Sequence, residues 1–353
     1  MMLMRAITVV PGKADSVRLD DIPKPPADDG PLLVETLAIG VYGTDVEIVH
    51  GDYGAPPPGA DRLILGHESL GRVLEAPSGC GLARDDLVVG IVRRPDPVPC
   101  PNCAVGEWDM CRNGRYTERG INGRNGYASD RYRIRPEYAV KVDPGLDRVG
   151  VLVEPASVVA KAWEHIGRIG SRAHWQPCQV MIIGAGPIGL LAALLGCQRG
   201  LDVVVFDRVT EGPKPKLVAD LGAAYRTDSI SDACATADVV IECTGVSSLV
   251  LEVLGRTAPD GIVCLTGVSS GGRQLTIDAA QVNRAMVLGN DVVFGSVNAN
   301  RRHYETAAEA LAQADRSWLE RLITRRVPVE HWADALTRRA DDVKPIIAFA
   351  EGN

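Results

Sequence analysis

At 353 residues the chain is too long for one ordinary hydrophobic core, and 46% hydrophobic against 24% charged residues is the balance of a folded protein with much apolar surface to bury. A net charge of −7 supplies no basic surplus, which sets aside binding to a nucleic-acid backbone. The opening stretch MMLMRAITVVPGKADSVRLDD is interrupted by Arg5 and turns polar, unlike a secretory leader, and no apolar run reaches membrane-spanning length, so a cytoplasmic location without membrane association is expected.

In chain order, the first 155 residues are rich in Gly and Pro and carry short alternating apolar runs such as PLLVETLAIG and GRVLEA, the pattern of a mostly β domain. From residue 156 the pattern changes. PASVVAKAWEHIGRIG reads as a helix, QVMIIGAG as a buried strand, GPIGLLAALLGCQRG as a helix and LDVVVFDR as a strand, with further strands in ADVVIECTG, GIVCLTGV and DVVFGSV. Strands alternating with helices predict a parallel sheet with covered faces over residues 156–299. The tail, residues 300–353, reads as helices in HYETAAEALAQA and HWADALTRRADD that return to the first domain. The fold class is therefore α/β, with a mostly β domain and a dinucleotide-type domain, and no internal repeat interrupts it.

The dinucleotide signal is the strand-to-helix turn VMIIGAGPIGLLAAL. Gly184 permits the tight turn, Gly186 lets a pyrophosphate approach the backbone and Gly189 allows close packing of helix on strand, with Pro187 and Ile188 opening a helix whose N-terminus favours negative charge. Asp207 follows the next strand, where its carboxylate can accept from both adenosine ribose hydroxyls and repel a 2′-phosphate, which favours NAD. Arg208 beside it, and Lys214 and Lys216 in what reads as a loop, argue for NADP, so use of both cofactors stays open. Thr244, after the strand ADVVIECTG, is a further cofactor-binding candidate. The nine cysteines divide into a cluster, Cys100-x2-Cys103-x7-Cys111, and six scattered through apolar segments, a metal-like cluster in a reducing setting rather than a disulfide framework.

Three separated stretches, GVYGTDVEI with Tyr42, Thr44 and Asp45, LGHESLG with His67 and Glu68, and LVEPAS with Glu154, resemble the zinc-dependent medium-chain alcohol dehydrogenases. Together with VRRP, YTERGI and GSVN they are most similar to the archaeal-type glucose dehydrogenases, over most of the chain. The resemblance implies a GroES-like catalytic domain followed by a Rossmann domain, with the active site in the cleft between them. It implies that His67, Glu154 and Glu68 hold a catalytic zinc, that Asp45 orients His67 and that Thr44 begins a proton path. It also implies a homo-oligomer, a dimer or tetramer built through the edge of the Rossmann sheet.

Two positions depart from that family. Tyr42 stands where the family places Cys or Asp, and a neutral phenol is a poor zinc ligand; the site either keeps zinc on His67, Glu68 and Glu154, or has lost it and uses the phenol as an acid. Cys100, Cys103 and Cys111 match the last three of the family's four structural zinc ligands, while the first falls on Pro97; Asp96, one residue away, is the expected fourth donor. Glu118, in YTERGI, matches a residue that contacts sugar hydroxyls, with a loop ion pair to Arg119 or Arg124 as the plain alternative. Asn298 and His303 match contacts to the nicotinamide or the sugar. These features imply a nicotinamide-dependent oxidoreductase acting on a sugar or cyclic polyol, nearest to glucose 1-dehydrogenase. The alternatives are a zinc-independent reductase with a changed substrate and a dinucleotide-binding protein without catalysis.

Overall fold

A computed structural model describes residues 3–230, 234–269 and 274–350. The chain forms two compact units: Met1–Ser157 with Asn298–Asn353, and Val158–Val297.

The first unit is built on a mixed sheet whose centre is the strand Leu32–Gly40. That strand pairs antiparallel with Glu68–Glu75 on one side and with Pro345–Ala348 on the other, so a strand from the end of the chain lies next to one from its beginning. Alternation in LLVETLAIG puts Leu32 and Val34 into a core shared with Val73, Val88, Tyr127, Tyr132 and Ile347, and a register shift between Thr36 and Ala38 brings Ile39 into the same core. Gly40 has a specific reason to be glycine. It pairs with Glu68 in one neighbouring strand and with Ile346 in the other. A Cβ there would run into the Glu68 carboxylate and come within 3.0 Å of Lys344 Cε. A smaller sheet joins Arg93–Arg94, Thr117–Arg119 and Gly123–Arg124, opposing Arg93 to Glu118.

The second unit is a six-stranded parallel sheet in the order Ala224–Arg226, Asp202–Phe206, Gln179–Ile183, Val239–Glu242, Ile262–Leu265, Val292–Gly295. The strand order reverses between Gln179–Ile183 and Val239–Glu242, the switch point at which open α/β sheets bind their ligands. Strands such as QVMII and VVIE carry unbroken apolar runs, Val180–Ile183 and Val239–Ile241, because both faces are covered. The helix Pro187–Gln198 is likewise buried on nearly every side. The strand Ala224–Arg226 has no apolar signature and was not expected from the sequence. In the tail, HYETAAEALAQA falls in the helix Arg301–Ala312, but HWADALTRRADD supports only the short helix Trp332–Leu336. Among the described residues, no helix is long and apolar enough to cross a membrane.

Candidate active site and dinucleotide turn

The strand Leu32–Gly40 delivers the chain to Tyr42, which stands before the helix Gly43–His50. Asp45, in the first turn of that helix, serves two groups at once. Its Oδ2 accepts the Tyr42 amide at 3.0 Å, and its Oδ1 lies 3.4 Å from His67 Nδ1. The second contact is an ion-pair approach rather than an aligned hydrogen bond, since His67 Nδ1 otherwise makes none. Burial opposes a charged imidazole, but Asp45, and after it Glu154 and Glu68, outweigh burial and carry the His67 pKa up to about 9.

Glu68 starts the strand beside Gly40, and Glu154 lies in the first turn of the helix Val153–Gly170. One donor atom from each of His67, Glu68 and Glu154 falls within 4.8 Å of the others. Burial and the neighbouring Glu68 charge push the Glu154 carboxyl up to about 7. One nitrogen and two buried carboxylates that repel each other fit a divalent cation, and three protein donors are enough for a catalytic zinc. Thr44 lies half-buried on the same short helix.

Lys344 was missed in the sequence. It is fully buried, its ammonium pairs with Glu68 Oε2, and it lies 5.2 Å from the centroid of the Tyr42 ring. The pairing of Pro345–Ala348 with Leu32–Gly40 places Lys344 against Glu68 over the bare face of Gly40. The one local signal is a lysine amid apolar neighbours, in VKPII.

Glu118 is also buried, and its partner is Arg93, not Arg119 or Arg124. Its Oε1 accepts from Arg93 Nε and Nη2, at 3.1 and 3.0 Å, and from Asn298 Nδ2 at 2.9 Å. The Tyr116 ring stacks on the Arg93 guanidinium, 3.7 Å from Cζ, and fixes its plane. Arg119 instead spends its guanidinium on the carbonyls of Asn125 and Arg133. Asn298 holds a left-handed backbone, φ 61°, and its Oδ1 receives the Ala299 amide. His303 differs from its expected place at a sugar: it is 1% exposed, and its Nδ1 accepts the Asn300 amide at 3.1 Å, capping the helix Arg301–Ala312.

The three sulfurs of Cys100, Cys103 and Cys111 form a second group of donors within 4.8 Å of one another. The Cys100 sulfur accepts the amides of Arg112 and Cys103, at 3.4 and 3.5 Å, and these donors bring its pKa down to about 6. A thiolate held this way fits a soft cation such as zinc. Asp96 does not complete the group. Its oxygens are taken by the Val98 amide, Asn113 Nδ2 and Arg115 Nε, so the carboxylate orders the loop instead.

In the second unit, Gly184 has φ 101° and a Cβ there would meet Thr244 Cγ2 at 2.7 Å, while one on Gly189 would strike the Gly184 carbonyl. Gly186, before the helix Pro187–Gln198, has open space where its side chain would be. The turn thus combines two glycines demanded by packing with one whose bareness faces outward, over amides suited to an anion. Glu242, fully buried at the end of its strand, holds the facing loop by accepting from the Thr244 amide and hydroxyl and from the Gly245 amide. Ile188 is buried in the first turn of the helix. Asp207 accepts the Ala185 amide at 2.8 Å, which ties the second strand to the glycine turn. Arg208 is exposed. Lys214 and Lys216 lie in the first turn of the helix Pro213–Asp220, not in a loop.

A GroES-like β unit and a doubly wound parallel-sheet unit together define a medium-chain NAD(P)-dependent dehydrogenase. The alcohol dehydrogenase GroES-like domain model matches residues 28–144, and the glucose dehydrogenase C-terminus model matches residues 147–349. The chain belongs to the glucose dehydrogenase family. It is 39% identical to a glucose 1-dehydrogenase of Methanocella arvoryzae, over 98% of this chain and 99% of that one. To a glucose 1-dehydrogenase of Thermoproteus tenax it is again 39% identical, with the same coverage. Among solved structures it resembles Haloferax mediterranei glucose dehydrogenase in complex with NADP, Zn and gluconolactone, with a TM-score of 0.91 and 31% identity over 99% of this chain and 100% of that one.

Proposed function

We propose that this protein oxidises a glucose-like sugar or cyclic polyol, converting a hydroxyl to a carbonyl or lactone while the hydride passes to NAD(P). The observation that carries the reading is the convergence of His67, Glu68 and Glu154 into one buried donor group, backed by Asp45 and Lys344. The names of the three relatives given above, each a glucose dehydrogenase, support the substrate class.

In this reading His67, Glu68 and Glu154 hold a zinc ion, whose contribution when bound is Lewis acidity toward the reacting sugar oxygen. Asp45 fixes the imidazole through its other nitrogen. Lys344 balances Glu68, so that the carboxylate pair can persist in a buried site. Thr44 starts the route by which the hydroxyl proton leaves. Glu118 has Oε1 filled by Arg93 and Asn298 but no such partner on Oε2 among the described residues, which leaves an acceptor held rigidly for a sugar hydroxyl. In the second unit Gly186 and the helix N-terminus receive the pyrophosphate, with Asp207 and Thr244 bordering the cofactor. The thiols of Cys100, Cys103 and Cys111 hold a structural zinc.

Tyr42 motivates a second reading, in which the phenol is the proton donor of a site without metal. Its ring lies beside the Lys344 ammonium, in the position where the family places an anionic ligand. Turnover of a sugar panel with NAD and NADP, with and without added zinc, on the parent, Tyr42→Cys and Tyr42→Phe separates the two. The zinc reading expects Tyr42→Cys to keep or raise zinc-dependent activity. Steep loss in both variants that zinc does not rescue favours the phenol, and no sugar oxidation by the parent defeats the substrate assignment.

A homo-oligomer is part of the proposal. The helix Ala279–Gly289 exposes Val287 and Leu288, at 65% and 69%, near the sheet-edge strand Val292–Gly295 in the chain, which supports association through that edge.

A further inference from the structure

Asp109 stands two residues before Cys111, in the short turn of helix Trp108–Met110, and is buried. It is held at both its backbone and its side chain. Its carbonyl accepts from Arg93 Nη1 at 3.1 Å, and its carboxylate Oδ1 accepts from Asn300 Nδ2 at 2.9 Å. Arg93 and Asn300 are buried as well, and all three residues belong to the first unit. The stretch around Asp109 is tied to the same helix that Asn300 begins, because Glu107 pairs with Arg302 at 3.1 Å.

Each contact of Asp109 leads to one of the two residues proposed to meet the sugar. Arg93 divides its guanidinium, with Nη1 on the Asp109 carbonyl and Nε and Nη2 on Glu118 Oε1. Asn300 follows Asn298 by two residues, and Asn298 Nδ2 returns to the same Glu118 oxygen. The contacts therefore close into a ring through Glu118, Arg93, Asp109, Asn300 and Asn298, completed by the backbone between the two asparagines. In a closed, buried ring no member can swing without breaking a second hydrogen bond, which holds Glu118 and Asn298 at one separation. Without Asp109 the ring opens on both sides.

We propose that Asp109 is a positioning residue for sugar binding. From the three-cysteine lobe it fixes the spacing of Glu118 and Asn298, so that both meet hydroxyls of one sugar at once. The inference rests on the sugar reading proposed above and deepens it. Contacts to hydroxyls remote from the reacting carbon act alike on the bound sugar and on its transition state, so their loss appears in KM and not in kcat.

Exchanging the two partners tests this. Asn300→Asp keeps a favoured residue at the start of the helix Arg301–Ala312 but sets a carboxylate against that of Asp109 where a hydrogen bond was donated. Asp109→Ala drops the same hydrogen bond without bringing like charges together. In steady-state kinetics with glucose and saturating NAD or NADP, both variants are expected to raise the sugar KM by about tenfold or more with kcat within about threefold of the parent. Nicotinamide affinity, read by fluorescence titration with NADH and NADPH, is expected to stay within about threefold. Asn300→Asp combined with Asp109→Asn restores the hydrogen bond with its direction reversed, and KM is expected to return to within about threefold of the parent. The proposal is overturned by a KM that stays within threefold in the single variants, by kcat or nicotinamide affinity falling in step with KM, or by a double variant no better than Asn300→Asp. A parent that oxidises no sugar overturns the sugar reading and this inference together, and that result is seen before any variant is compared.

Discussion

The donor group around His67 is charged, buried and assembled from four separate stretches of chain, those of Asp45, His67 with Glu68, Glu154 and Lys344. The glycine turn of the other unit is backbone, drawn from the single stretch 184–189. The first is held together by balancing charges: His67 faces Asp45, and Glu68 is answered by Lys344. The second is held by space, because Gly184 and Gly189 must be bare for strand, turn and helix to close. A charge-built site should therefore fail when one partner is removed, and a space-built one when an atom is added.

The largest expected effect lies at the charged site. His67→Ala removes the one nitrogen donor and should lower kcat/KM for the sugar by about a thousandfold or more, with loss of bound zinc, as read by steady-state kinetics and a metal count. Activity within about tenfold of the parent, with the metal retained, would break the comparison.

Next comes Lys344→Met, which keeps the volume and leaves Glu68 buried without its partner, at a cost of about 3 kcal/mol. Pairing it with Glu68→Leu should restore much of that stability though not activity. Thermal or denaturant unfolding of the single and double variants reads this. A single variant as stable as the parent would show that the ion pair is not what holds the site.

The glycine turn should respond oppositely at two positions. Gly189→Ala forces a methyl into the Gly184 carbonyl and should cost about 1–3 kcal/mol of stability. Gly186→Ala meets nothing within the protein and should leave stability within about 0.5 kcal/mol, yet weaken dinucleotide binding by about tenfold, because the methyl stands where a pyrophosphate must approach. Equal destabilisation by both would show that packing alone accounts for the three glycines.

The smallest effect concerns acid. Burial works to raise the Asp207 pKa, but the Ala185 amide and Lys214 outweigh it and hold the group below its ordinary value. A carboxylate with a depressed folded pKa contributes stability that is complete above its unfolded pKa and is lost as pH falls through the folded one. Unfolding measured from neutral pH down through the ordinary carboxylate range should therefore show a part of the acid sensitivity that Asp207→Asn removes. An Asp207→Asn profile parallel to that of the parent at every pH would assign the acid loss elsewhere.

The elements most legible in the sequence were those whose causes are local. The parallel strands appear as continuous apolar runs, and the glycine turn as three residues at fixed offsets between a strand and a helix, because each needs only its near neighbours in the chain. The exposed strand Ala224–Arg226 lacked that signal, and proline at two early positions disguised the helix Pro213–Asp220 as a loop. His67, Glu68 and Glu154 could be named because their short motifs are distinctive.

By itself the sequence determined the α/β class, the family, the dinucleotide turn, the donor residues and the grouping of the three cysteines, since all of these are written in residue type and spacing. Only the tertiary structure decided which partners those residues take. Lys344 reaches Glu68 because one strand joins the beginning of the chain to its end across the bare surface of Gly40. Glu118 turns to Arg93 because the register of a small sheet sets them opposite. Asp96 is drawn to Asn113 and Arg115 and away from the thiols, and His303 is spent on capping its own helix. Hydrogen bonds and ion pairs act over a few ångströms of space, and separation along the chain does not report that distance until the strands have paired.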